Sequence, residues 1–212
     1  MPKPARAGSG AESATTESVR DRILNTAREL FYREGARAVG VDTVVSHSGV
    51  AKTSLYRWFP SKDALIVAVL EQEAKDRWGG WDYTAARAGK DPREQLRAQF
   101  AGIARFVSSP KYRGCPFMNV TVEFADPQHP ARAVARGVME ELHTRIRALV
   151  DQLNVEAPEE LTAQLVMLVD GAFSSAQCLG REGPQRLLVT AADALIDAAA
   201  ARSTSAHDAA SR

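Results

Sequence analysis

The stretch VDTVVSHSGVAKTSLYRWFPSK, residues 41–62, decides how the chain is read. It divides into two short helices joined by a turn at Ser48-Gly49-Val50. Val41, Val44, Val45, Val50, Leu55 and Phe59 can face inward together. Gly49 suits a turn that needs left-handed backbone, because it has no Cβ to clash. Two helices crossing steeply through a short glycine-containing turn form a helix-turn-helix, whose second helix can enter a DNA major groove.

The charge pattern points the same way. No acidic residue falls between Asp42 and Asp63, whereas Lys52, Arg57 and Lys62 all do. Lys52 opens the second short helix and Lys62 opens the next. A cation at a helix N-terminus opposes the macrodipole, so helix stability does not favour it there. An anion at that end would meet both free backbone N–H groups and the lysine, and DNA phosphate is the obvious one.

The run GVAKTSLYRWFPSKDAL resembles the tetracycline-repressor-like (TetR) family pattern: Gly-Val, a short polar run, Leu-Tyr, an aromatic, then a Lys before Ala-Leu. RILNTARELFYREGARAVGV matches the same family upstream, so the resemblance covers about residues 17–77. Gly40 stands where a Thr or Ser commonly caps the first short helix, and Val45 where a small Ala is common. The resemblance implies an all-α homodimer with an N-terminal DNA-binding domain. A C-terminal helical domain would bind a small molecule and dimerise through the last two long helices, about 159–179 and 185–201.

Size and composition agree. A chain of 212 residues can bury a real core. A hydrophobic share of 45% and a charged share of 25% are those of a soluble globular protein. Net charge is only +1, so affinity for nucleic acid must come from a local patch. Cys115 and Cys178 are too few for a disulfide framework, which fits a reduced cytoplasmic setting. No apolar run reaches the length of a membrane span, and the start lacks the apolar stretch of a signal peptide.

Along the chain, residues 1–15 read as a disordered arm whose Lys3 and Arg6 are within reach of DNA in principle. Residues 16–62 form the DNA-binding domain, with its motif at about 41–59. A helix from Glu17 to Glu34 braces it, capped by Ser18 and stopped by Gly35. Residues 63–202 form the effector and dimerisation domain, and 203–212 a solvated tail. Within it, the spacing predicts a fourth helix over 62–77. Residues 78–92 read as a loop or frayed helix end holding Trp78, Trp81 and Tyr83, and a fifth helix covers 93–108. The segment RGCPFMNVTVEFADPQHP, 113–130, holds a short buried helix between Pro116 and Asp126-Pro127. Further helices run from Pro130 to about Leu153, Pro158 to Leu179, and beyond Gly183-Pro184 to about Ala201. That makes about nine helices, with strand signals nearly absent.

The second short helix is the candidate recognition helix. Lys52, Thr53, Tyr56 and Arg57 fall on one face. Arg57 can pair with guanine, and Thr53 can touch a base edge or thymine methyl. Ser54, Tyr56 and Trp58 sit at positions that contact phosphate in the family. Lys62 grips phosphate at the next helix start, and Thr43 reaches the backbone from the first short helix. Phe100, Phe117, Met118, Phe124, Met139, Met167 and Phe173 are candidates to line a ligand pocket, although such spacing also describes plain core. Cys115, near Asn119 and His129, reads as a buried hydrophobe rather than a nucleophile. Glu140 and His143 form a single Glu-x-x-His pair, where a di-iron bundle needs two.

These observations point to a non-enzymatic regulator without cofactor or metal. As a dimer it would repress by binding a palindromic operator and let go on meeting a small apolar effector, whose identity is unknown. A cysteine- or metal-dependent helical enzyme, and a helical ligand-binding protein that no longer binds DNA, are the alternatives.

Overall fold

The computed structural model describes residues 18–210, with side chains through Ser203. The arm at 1–15, with Lys3 and Arg6, lies outside the described residues. Those described form nine α-helices and no strand. They are α1 (Val19–Glu34), α2 (Val41–Ser48), α3 (Lys52–Trp58), α4 (Lys62–Ala88), α5 (Pro92–Val107), α6 (Pro116–Glu123), α7 (Pro130–Val150), α8 (Pro158–Leu179) and α9 (Leu188–Ala210). The region of Val120 to Val122, whose β-branched residues also suit a strand, is helical in α6.

Local chemistry sets most boundaries. Ser18 Oγ accepts the Asp21 N–H at 3.1 Å and starts α1. Ser61 Oγ accepts the Ala64 N–H at 3.0 Å and starts α4. Pro92, Pro116, Pro130 and Pro158 each occupy the first turn of a helix, where no N–H is needed. Gly49 ends α2 with φ 65°, the left-handed conformation that its missing Cβ allows. Gly40 opens α2 without a side-chain cap.

Two boundaries differ from those read in the sequence. α4 does not end near residue 77; it runs 27 residues, straight through Gly79-Gly80. Each glycine costs roughly 1 kcal/mol of helix propensity. Tertiary contacts offset this. Trp78 and Trp81 pack edge to face at 6.4 Å and lie against the core. Arg145 of α7 sits 4.7 Å above the Trp78 ring, and Gln99 of α5 donates to the Trp81 carbonyl at 2.9 Å. α9 likewise continues past residue 203, where a tail was expected. Ser203 Oγ accepts the Glu156 N–H at 2.7 Å, tying this last stretch to the loop before α8. The chain between Gly183 and α9 is a short 3₁₀ turn, Pro184–Leu187.

The core is continuous. In the N-terminal head, α1 contributes Ile23, Leu24, Ala27, Leu30 and Phe31, onto which Val44, Leu55 and Phe59 close. Leu65, Ile66, Val69 and Leu70 of α4 carry this core onward. α5, α7 and α8 then pack around α4 or one another through Leu96, Phe100, Ile146, Leu161 and Leu165, all at 0% exposure. α9 lies against α5 and α8.

α4 is not the only tie between head and body. The Tyr32 hydroxyl accepts the Arg113 N–H at 2.8 Å and donates to the Gly114 carbonyl at 3.2 Å. Glu123, at the end of α6, accepts the Arg37 N–H at 2.7 Å. His129 Nε2 lies 3.4 Å from Asp63. Arg28 of α1 pairs with Glu73 at 2.5 Å and Asp76 at 2.7 Å on α4. Gly114, at φ 99°, lets the loop turn close beside Gln177 and Asn119, where a Cβ would come within 2.8 Å of both.

Candidate nucleic-acid interface and core cavity

α3 has seven residues and two unlike faces. Leu55 is fully buried and Phe59, just after the helix, is 3% exposed. These anchor the helix on the head's core. Lys52, Thr53, Tyr56, Arg57 and Trp58 are exposed on the outside, and Ser54 is half-buried. Tyr56 and Trp58 are large aromatics at 43% and 50% exposure, a cost unless something covers them. Ala51 precedes α3 and supplies no side-chain cap to its first turn. Thr43 is half-buried on α2, and its carbonyl contacts His47 Nδ1 at 2.8 Å.

The cations of this surface differ in their present partners. Lys52 Nζ lies 2.7 Å from Asp42 Oδ1, and this carboxylate raises the lysine's pKa. Lys62 is half-buried and donates to the Arg37 carbonyl at 2.9 Å. Burial lowers its pKa, against the opposing pull of Asp63 and Glu123. Arg57 has no ion pair among the described residues. The eight residues named from the sequence thus lie along α2, α3 and the start of α4 on the head. Chemically, that surface offers hydroxyl, phenol, indole and cationic donors to an anionic backbone.

A second feature lies in the body. A cavity of about 380 Å³ opens between α4, α5, α7 and α8. Trp78, Trp81, Ile103, Phe106 and Phe173 give it apolar walls, and Arg28, Glu73, Asp76, Arg77, Thr84 and Gln99 give it polar ones. Such a volume is in the range of small-molecule sites. Of the seven pocket candidates named from the sequence, only Phe173 lines it. Phe100 and Phe117 are solid core at 0% and 1% exposure. Met118 and Met139 are half-buried against that core. Phe124 stacks on His129 at 4.0 Å. Met167 points outward at 72% exposure and borders a groove on the outer face of α8.

Arg77 and the two tryptophans form the part of the cavity hardest to read in advance. Arg77, Trp81 and Thr84 recur at i, i+4 and i+7, a pattern visible only once α4 is carried through its glycines. Arg77 is held by rings: its guanidinium carbon sits 4.8 Å from the Phe117 centroid and 5.4 Å from that of Phe173. One of its nitrogens lies 3.4 Å from the Cys115 sulfur. Asp170, on α8, has a pKa raised by burial, with Arg77 pulling it down. Its Oδ1 is buried without a hydrogen-bond partner among the described residues. Cys115 is buried at 1% exposure and Cys178 is exposed. Among the described residues no group of His, Cys, Asp and Glu could hold a metal ion. His143 instead faces Glu159 at 3.3 Å. No helix of the described residues is long and apolar enough to cross a membrane.

Comparison with known proteins places these features in one frame. Residues 23–69 match the family model for bacterial regulatory proteins of the tetR family. Residues 92–192 match the tetracyclin repressor-like C-terminal domain. The fold is similar to a TetR-family transcriptional regulator of Streptomyces coelicolor, at TM-score 0.78 and 28% identity over 86% of this chain and 96% of that one. It is also similar to a transcriptional regulator of the same type from Streptomyces avermitilis, at TM-score 0.74 and 31% identity over 86% of this chain and 98% of that one. The HTH-type transcriptional activator FasR of Mycolicibacterium smegmatis is 34% identical over 88 residues, which is 42% of this chain and 40% of FasR. The chain thus spans less than half the length of that curated relative. With the helix-turn-helix, the all-α body and both matched regions in the expected order, the chain belongs to the TetR family of transcriptional regulators.

Proposed function

We propose that the protein is a one-component, ligand-responsive repressor that works as a homodimer on a palindromic operator. The observation that carries this reading is α3. A short helix holds its apolar side in the core through Leu55 and turns Lys52, Thr53, Tyr56 and Arg57 to solvent. In a two-fold dimer two such helices, about 34–36 Å apart, would enter successive major grooves. Thr43, Ser54, Trp58 and Lys62 would hold the backbone.

The groove on the outer face of α8 supports dimerisation. Met167, Leu168, Gly171, Ser175, Leu187 and Ala191 border it. Met167 and Leu187 stand at 72% and 62% exposure, and a second copy of the same face would cover them. The small residues let the helices approach closely.

The cavity is the effector site in this reading, and its aromatic walls suit a ligand with an apolar body. The ligand acts by preferring the state whose two α3 helices are wrongly spaced for DNA. Moving the balance from 1:99 to 99:1 takes about 5.5 kcal/mol of such preference. The protein would work in the cytoplasm, beside the chromosome. FasR is an activator, so the direction of control is a separate outcome. Selection from a random duplex pool, followed by a reporter driven by the selected site, tests both. A palindrome and lowered expression are expected. Recovery of no palindrome would sink the reading, and raised expression would reverse its sign.

A further inference from the structure

The cavity's chemistry narrows the effector. We infer that its ligand is an amphipathic organic acid, with a carboxylate on Arg77 and an apolar body against Trp78, Trp81, Ile103 and Phe106. This rests on the cavity being the effector site.

Arg77 is the argument. A guanidinium carries five N–H donors and is always charged. Among the described residues Arg77 has one hydrogen bond, to the weak acceptor Cys115 Sγ at 3.4 Å, and no ion pair. Its other support is two aromatic faces. A cation so placed is oriented but not neutralised, and its fork geometry matches a carboxylate. The nearby charges do not fill the role. Arg28 engages both Glu73 and Asp76 at the cavity wall. Arg145 is committed to Asp82 and Glu141, each at 2.6 Å. Asp170 forms no ion pair with Arg77 among the described residues; Arg77 favours its charge, but its burial outweighs that and disfavours the charge that would compete for the guanidinium.

Apart from the mutually paired Arg28, Glu73 and Asp76, the rest of the wall is apolar or weakly polar, so an acid with a bare polar body would leave Trp78, Trp81, Ile103 and Phe106 uncovered. The seat also has a route to the head. Arg77 touches Cys115 and Phe117 at the start of α6, and α6 ends in Glu123 on the Arg37 N–H.

The test uses the full chain and a panel of alkyl- and arylalkanoic acids, each paired with its primary amide and the matching amine. Binding is read by calorimetry and by tryptophan fluorescence. Acids should bind about ten- to a hundredfold tighter than their amides, and amines weakest. Arg77→Gln should bring acid and amide together by cutting acid affinity about ten- to a hundredfold, a far larger loss than for the amide. If Arg77→Gln fails to fold, Arg77→Lys serves: it should keep a reduced preference for acids. Amides binding as tightly as acids to the wild type would overturn this inference and leave the effector cavity standing. Binding by no member of the panel would overturn both.

Discussion

Lys52 Nζ, at the first position of α3, lies 2.7 Å from Asp42 Oδ1 on the helix before it. Both side chains are largely exposed, at 53% and 80%. In the free protein, then, the lysine best placed for a phosphate already has an anion beside it. In the proposed complex, a DNA phosphate must replace Asp42 to reach Lys52. Asp42→Asn should therefore raise affinity for duplexes of any sequence, by about threefold at low salt. Electrophoretic mobility shift across a salt series measures this, and an unchanged or weaker affinity would count against it.

Arg57 and Lys62 should behave differently from each other. Arg57→Ala should lose about 1–3 kcal/mol of discrimination between operator and scrambled sites. Lys62→Ala should weaken all sequences alike and flatten the salt slope by about one ion. It should also lower the melting temperature slightly, because Lys62 donates to the Arg37 carbonyl. Competition binding on both sites at several salt concentrations separates the two. The same loss pattern for both variants would refute the division.

The head is clamped to the body by α6 as well as by α4. Glu123→Gln weakens the acceptor for the Arg37 N–H, and Tyr32→Phe removes the partner of the Arg113 N–H. Each should cost about 1 kcal/mol of stability. Hydrogen exchange should rise at Arg37 in the first and at Arg113 in the second. If the clamp carries the ligand signal, both variants should keep ligand affinity while the ligand's effect on DNA binding shrinks. Full retention of that effect would leave α4 as the lever.

Asp170 sets a pH dependence. Burial raises its folded pKa above the ordinary value of 3.8. Between the unfolded and folded values the native state holds more protons, so stability falls as pH rises through that window. Asp170→Asn should then melt higher than wild type at neutral pH, with the gain shrinking as pH falls toward 3.8. Thermal melts across that range check the sign, and a neutral-pH melting temperature below wild type would contradict it.

Met167→Asp and Leu187→Asp should leave each subunit folded, since both side chains are mostly exposed. They should shift sedimentation toward monomer at micromolar concentration and reduce operator affinity by at least an order of magnitude, because two half-sites then bind independently. A dimer unaffected by both substitutions would place the interface elsewhere.

The motif was the most legible part of the chain. Gly49 at the turn, Leu55 and Phe59 inward, and the cationic face of α3 all stand where the pattern of residues 41–59 implies. The cap at Ser18 was legible for the same reason: a hydroxyl three residues before the N–H it accepts is a local signal. The cavity was not. Residues 78–92, with their glycines, aromatics and charges, read as a loop or frayed helix end, because propensity counts the cost of Gly79-Gly80 and cannot count Arg145 above Trp78 or Gln99 on Trp81. Phe100, Met139 and Met167 share the periodicity of true pocket residues, and periodicity marks an apolar face without saying whether a neighbour fills it.

By itself, then, the sequence determined which segments are helices, which turn joins α2 to α3 and which side of α3 is bare, since each depends on residues within a few positions of one another. Only the tertiary structure decided that α4 continues through its glycines, that Arg77 rests on Phe117 and Phe173 with no ion-paired carboxylate among the described residues, and that Glu123 reaches Arg37. Those are relations between segments 18 to 96 residues apart, and their energies exist only once the helices have packed.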